Sequence, residues 1–171
     1  MKKSITPSTL TKLAVVAAIY IVITVVLGPI GSGAIQFRLS EMFNLLAFYN
    51  RRYIASVTIG CAISNYLVYG PVDMIVGSLA SLVFITLGVI LFHNKDKIYF
   101  KNTLFAIPQK FIFFNILFSL SMFVIALELN ILFQAPFFLT WLTTGLGEFL
   151  SLMLGAYVVQ ALAKRIDFTN V

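Results

Sequence analysis

Charged side chains are scarce in this sequence. Asp, Glu, Lys and Arg make up 11% of its 171 residues, less than half of the roughly 25% usual in soluble domains. So few charges cannot cover a water-facing surface of this size, and a soluble globular domain is excluded. Cysteine occurs once, as Cys61, which rules out an intrachain disulfide. Beside Gly60 in an apolar run, it reads as a small packing residue. Histidine also occurs once, as His93 in the most polar stretch of the chain. A zinc site or a Ser-His-Asp triad within an apolar segment is therefore not foreseen. No Gly-Lys-Ser/Thr phosphate loop is present, so the chain does not bind ATP in that mode. Internal repeats, low-complexity tracts and visible inverted symmetry between the halves are lacking as well.

What is present is apolar. Hydrophobic residues make up 60% of the chain and the mean hydropathy is +1.00. A membrane-spanning helix takes roughly 20 apolar residues, so the length accommodates about six spans. The formal charge of +6 invites a nucleic-acid reading, but the basic residues sit at the ends of apolar runs and form no basic face. The positive-inside rule explains the surplus better. Residues 1–27 have the basic start and apolar stretch of a signal peptide, yet no small-residue cleavage site follows, and the segment is read as a retained first span.

Spans are predicted at residues 10–28, 36–49, 54–69, 72–92, 108–127 and 137–163. Gly28, Pro29, Gly31 and Gly33 break the first. The second is short and ends at Asn50-Arg51-Arg52, and Gly70-Pro71 stops the third. Residues 93–101 form a polar connection, Pro108 suits the first turn of the fifth span, and 128–136 lead to the sixth. The architecture read from this pattern is all-α: one domain, residues 1–171, a bundle of six transmembrane helices. With six spans, Lys2, Lys3, Lys12, Arg51, Arg52, the loop after span four, Lys164 and Arg165 all fall on one face. Positive-inside then places both termini in the cytoplasm and the protein in the plasma membrane.

Small residues recur every four positions: Ser56, Gly60 and Ser64; Gly147, Ser151 and Gly155; Ala14 and Ala18. That spacing lets helix backbones approach closely in lipid, and the first two stripes read as packing within the chain.

An ionisable group inside a membrane costs about 2.5–3.5 kcal/mol on insertion scales, so each one asks for a reason. Asp96 and Asp167 lie in the cytoplasmic segments. Glu41, Asp73, Glu128 and Glu148 fall in the outer half or at its edge. Arg38 and Glu41 lie one helical turn apart and can satisfy each other. Asp73, two residues after Pro71, can serve a helix start. Glu128 reads as a solvated charge of the 128–136 connection. Glu148, roughly 15 Å into its span, has no such explanation. Gln36, Asn65, Asn115 and Gln134 add amides to the same half. Together these groups can line a polar cavity open to the outside.

Three blocks carry a family resemblance. The run Gln36-Phe37-Arg38-Leu39-Ser40-Glu41 follows a Gly/Pro-rich break. The run from Asp73 to Leu82 follows a short span, with Val72 where a tryptophan is usual. Gly147-Glu148 lies in the last span. The chain resembles, over nearly its whole length, the queuosine-precursor transporter family, substrate-capturing S components of energy-coupling factor (ECF) transporters. The resemblance implies a six-helix S component with an outward-facing ligand site and no cofactor. The implied partners are a transmembrane coupling subunit and two cytoplasmic ATPases, with Ala14 and Ala18 matching the Ala-x-x-x-Ala pattern where the coupling subunit docks. The implied ligands are 7-deazaguanines with an aminomethyl or cyano group. A guanine-like edge presents parallel N–H donors to a carboxylate, an aminomethyl cation asks for a second carboxylate, and the flat ring stacks on aromatics. Glu41, Asp73 and Glu148 are the candidate carboxylates, Gln36, Arg38 and Asn65 further polar contacts, and Phe37, Tyr66, Tyr69 and Trp141 the candidate stacking partners. Two other readings stay open: an S component for another vitamin-like nutrient such as riboflavin or thiamine, and an intramembrane enzyme using Glu148 with Asp73. A purely structural membrane subunit is a third, and it leaves a buried Glu148 unexplained.

Overall fold

The computed structural model describes residues 6–31, 37–95, 98, 99 and 107–171. The expectation for Gln36, as for Lys2, Lys3 and Asp96, falls outside them. Among the described residues there are six α-helices, α1 (Pro7–Gly31), α2 (Arg52–Val68), α3 (Pro71–Phe92), α4 (Gln109–Leu120), α5 (Phe123–Phe133) and α6 (Phe137–Ala163). A 3₁₀ helix, Leu39–Phe48, lies between α1 and α2. Two short antiparallel strands, β1 (Ile98–Tyr99) and β2 (Ile107–Pro108), interrupt an otherwise helical chain. Pro108 is therefore in β2, one residue ahead of α4, and not inside the helical first turn.

Four helical stretches are long and apolar enough to cross a membrane: Pro7–Gly28, Pro71–Phe92, Gln109–Phe133 and Phe137–Ala163. The third combines α4 and α5, so the fifth predicted span continues beyond Leu127 and takes in Glu128. The α4–α5 junction has no proline or glycine. There Ser121 Oγ donates to Phe118 O at 2.6 Å and Met122 N to Ser119 O at 3.3 Å, a local tightening of the kind serine back-bonding produces. Helix α5 ends where Gln134 takes φ 56, with Asn130 Nδ2 donating to Ala135 O at 2.6 Å before Pro136, a left-handed helix terminus.

The segment predicted as the short second span lies at the centre of the molecule. Every residue of the 3₁₀ helix except Leu39 is buried, the polar Ser40, Glu41 and Asn44 included. Its geometry extends its reach: about 2.0 Å per residue carries ten residues about 20 Å, against about 15 Å for an α-helix. α1, α2 and α6 pack around it. The Gly147/Ser151/Gly155 stripe of α6 is buried, and a Cβ at Gly155 would run into Met42 of the 3₁₀ helix. The Ser56/Gly60/Ser64 stripe of α2 is also buried; Ser56 Oγ donates to Leu13 O of α1 at 2.6 Å, and Gly60 faces Tyr20. Both stripes thus serve close packing inside the bundle. The outer surface is apolar, with Val26, Ile90, Ile131, Phe133 and Phe138 each more than 60% exposed. Such a surface suits lipid, not water.

One end of the bundle gathers the basic residues. The segment after α6 folds back so that Asn170 O accepts from Lys12 Nζ at 2.8 Å and Val171 O from Arg52 Nη1 at 2.6 Å, while Asn50 Nδ2 donates to Thr169 O at 3.0 Å. The rings of Tyr49, Tyr53, Phe111 and Phe168 close the same end. The start of α1, the start of α2 and the end of α6 therefore meet at one face.

Candidate functional site

The 3₁₀ helix begins well inside the bundle. Arg38, the residue before it, donates its backbone N–H to Ser151 Oγ of α6 at 3.0 Å. Ser151 is one turn beyond Glu148, so the start of the 3₁₀ helix lies level with the middle of α6. Around Arg38 converge residues from five elements. Its guanidinium lies 5.0 Å over the Tyr69 ring, a cation–π distance. Asp73, Glu41 and Glu148 stand within its electrostatic reach, and so does Glu128.

Each carboxyl arrives by a different route. Glu41 projects from the first turn of the 3₁₀ helix and is 3% exposed. Tyr20 Oη of α1 donates to its Oε1 at 2.7 Å and Asn44 Nδ2 to its Oε2 at 2.5 Å, so both oxygens are held. Beside it, Thr24 Oγ1 donates to Ser40 Oγ at 2.7 Å. Asp73 lies in the first turn of α3, buried rather than facing water. Asn65 of α2 donates to the Asp73 backbone oxygen at 3.3 Å, and a Cβ on Gly77 would strike that same amide. Glu148 is 1% exposed on α6, next to Glu41 and Arg38. Its Oε1 is buried without a hydrogen-bond partner, as are Asp73 Oδ2 and Glu128 Oε2.

The structure thus brings Arg38, Glu41, Asp73, Glu148 and Asn65 together. Phe37 lines a hollow of about 10 Å³ with Arg38, Tyr69, Thr24 and Ser40, room for about one water. Tyr66 is not part of the group: it is 55% exposed on the outside of α2, and Tyr69, one turn later, holds the place under Arg38. Trp141 sits two turns before Glu148 on α6. Its Nε1 donates to Leu120 O at 3.0 Å and its ring packs on Phe123 and Phe137. It lines a hollow of about 520 Å³ between α4 and α6, among Leu120, Phe138, Leu142 and Leu146. Those neighbours are largely exposed, so this groove faces the lipid side. Asn115 is buried and donates to Met153 Sδ at 3.4 Å, whereas Gln134 is exposed at the end of α5. Ala14 and Ala18 are exposed on α1.

Glu128 corrects the reading of the sequence. It is not a solvated loop charge: it lies within α5, is 8% exposed, and faces Asp73. The residues that hold Glu41, Tyr20 and Asn44, were not picked out by sequence reasoning either. A signal for Tyr20 was present. Val16, Tyr20, Thr24 and Gly28 recur every four residues and are all buried, so the single tyrosine of span one belongs to the inward face of its helix.

Known proteins resemble the chain along its length. The family model for the QueT transporter matches residues 10–164. A curated relative, the queuosine precursor transporter QueT of Lactococcus lactis subsp. cremoris (strain MG1363), is 50% identical over 172 residues, covering 99% of this chain and 100% of the relative. No solved structure matches the chain. A family match over most of the sequence and half-identity from end to end lead to one statement: this membrane protein belongs to the QueT transporter family.

Proposed function

We propose that the chain is the substrate-capturing S component of an ECF-type importer and that it takes a queuosine precursor, a 7-deazaguanine, from outside the cell. The relative's name supplies the substrate class. The observation that carries the reading is the meeting of Arg38, Glu41, Asp73 and Glu148 inside the bundle, with buried carboxylate oxygens still lacking donors. Buried carboxylates without donors are costly. A guanine-like edge provides a parallel pair of N–H donors, and Glu148 Oε1 is an acceptor waiting for one. Tyr69 and Phe37 supply ring faces beside Arg38. The hollow there is too small for a heterocycle, so ligand entry requires the packing around Arg38 and Tyr69 to open.

In this reading the six predicted spans lie in the plasma membrane, with the 3₁₀ helix forming the inner part of the second, and both termini are cytoplasmic. The shared basic end of the bundle supports that orientation. A reporter fused to the C-terminus and active only outside the cell would contradict it. Transport is then driven by a transmembrane coupling subunit and two cytoplasmic ATPases. Ala14 and Ala18, exposed on α1, offer a smooth face for the coupling subunit. Replacing both with Leu is expected to abolish uptake and leave ligand binding by the isolated chain intact; equal loss of both would assign the two alanines to folding.

The decisive measurement is calorimetric titration of the purified protein with 7-aminomethyl- and 7-cyano-7-deazaguanine, with riboflavin and thiamine as controls. Heat from the deazaguanines alone is the expected result. Binding of a control vitamin instead would make this an S component for another nutrient, and chemical turnover by the isolated chain would favour a carboxylate enzyme.

A further inference from the structure

Glu128 has no part in the resemblance, yet the fold places it against Asp73. Helix α5 presents Glu128 and the start of α3 presents Asp73, and the two carboxyls are hydrogen-bonded to each other, with Arg38 nearby. Phe84 of α3 meets Phe123 of α5 edge-on, with ring centroids 6.3 Å apart, so the two helices are packed and not merely adjacent. Asp73 is 7% and Glu128 8% exposed. Asp73 Oδ2 and Glu128 Oε2 are each buried without a hydrogen-bond partner. Among the described residues, four carboxyls, Glu41 and Glu148 among them, share this region with the single guanidinium of Arg38.

We propose that Glu128 and Asp73 form a subsite for a cationic group of the transported molecule. The inference rests on the function proposed above and names the part of the substrate that this pair recognises. The hydrogen bond between them holds one proton between two groups that repel each other when both are ionised, and a cation set against the pair can take that proton's place. A primary ammonium brings three N–H donors and a positive charge, and can serve both open oxygens at once. A cyano group brings neither a positive charge to replace that proton nor a donor for the two open oxygens. The pair therefore selects the aminomethyl over the cyano deazaguanine, because only the ammonium supplies the charge and the donors.

The test compares ligands on one protein and then one variant. Wild-type protein in detergent is titrated with 7-aminomethyl-7-deazaguanine, its N-acetylated uncharged derivative and 7-cyano-7-deazaguanine. The charged ligand is expected to bind at least about 10-fold more tightly than either neutral one, in line with hydrogen bonds to charged groups. Glu128→Gln is expected to weaken the charged ligand by about 10- to 150-fold and to leave the neutral two unchanged or improved. Equal affinity of wild type for charged and neutral forms overturns the subsite, and this needs no variant to fold. So does an equal loss for all three ligands in Glu128→Gln. If wild type binds none of the three, the proposed substrate class fails and the subsite with it. If wild type binds all three without preference, only the subsite fails.

Discussion

Two polar regions of the bundle solve the same problem differently. At the basic end, Gln160 Oε1 of α6 is buried without a partner, but the returning segment is matched: Lys12, Asn50 and Arg52 donate to its carbonyl oxygens, and Phe168 fills the space between Tyr49 and Tyr53. In the middle of the bundle the inventory is larger and the matching is incomplete. Tyr20 and Asn44 hold Glu41, but an oxygen of Glu148, of Asp73 and of Glu128 is buried with no donor. Polar groups that complete each other hold a fold together. Polar groups buried with spare acceptors cost stability and persist where a ligand completes them. Under the proposed function, the basic end serves architecture and the centre recognition, and the contrast can be tested at both.

Substitution at Glu148 carries the largest expected effect. Gln keeps the size of the side chain but replaces one acceptor oxygen with a donor that opposes a ligand N–H. A lost hydrogen bond to a charged group is worth about 1.5–3 kcal/mol, so Glu148→Gln is expected to weaken deazaguanine binding by about 10- to 150-fold in calorimetric titration. Its melting temperature in detergent checks that the variant is folded before binding is compared. Unchanged binding by a folded Glu148→Gln protein would erase the contrast and make the centre structural, like the basic end.

The centre was partly legible from the sequence because its chemistry is rare in such a chain. Arg38, Glu41, Asp73 and Glu148 stand out among apolar residues, and each was picked out without knowledge of the packing. Glu128 was misplaced because Gln134, Ala135 and Pro136 make 128–136 resemble a loop, while α5 continues to Phe133 and turns Glu128 inward. Tyr66 and Tyr69 were equal candidates on sequence, and only the helical rotation of α2 separates the exposed ring from the one beneath Arg38. A helical segment was expected at 36–49 and the 3₁₀ helix occupies Leu39–Phe48, but its 3₁₀ winding was not foreseen. Neither was its start at mid-depth, since hydropathy reports burial and not rise per residue. The backward fold of the last eight residues had no periodic signal, and Phe168 looked like any aromatic residue near a terminus.

Phe168 is the test of the other region. It is partly buried against Tyr49 and Tyr53. Truncating a fully buried Phe costs about 3–5 kcal/mol, so a partly buried one should cost less, about 1–2 kcal/mol on the same scale. Phe168→Ala is expected to lower the melting temperature in detergent while leaving deazaguanine affinity within a factor of about two, since 1.4 kcal/mol would be needed for tenfold. A loss of affinity as large as that of Glu148→Gln would show that the two regions are coupled through the 3₁₀ helix that joins them.

The smallest effect belongs to Asp167, and it distinguishes charge from packing at the basic end. The Thr169 hydroxyl donates to Asp167 Oδ1 at 2.6 Å, the Thr169 backbone N–H at 2.9 Å, and Asn170 Nδ2 to Oδ2 at 2.6 Å. These donors favour the ionised form and hold the Asp167 carboxyl down at about 2, below the roughly 3.9 of an unperturbed aspartate. A depressed folded-state value means that the contribution to stability is present above about pH 4 and is lost as the pH falls through about 2. Asp167 is exposed, so solvent screens the interaction and the contribution is small. Melting temperatures of wild type and Asp167→Asn, measured from pH 6 down to pH 2, should differ slightly at the upper end and converge toward the lower. Phe168→Ala should stay displaced from wild type throughout, because ring packing does not titrate. A constant gap between wild type and Asp167→Asn across that range would mean that the turn at 167–170 is held by shape and not by the carboxylate charge.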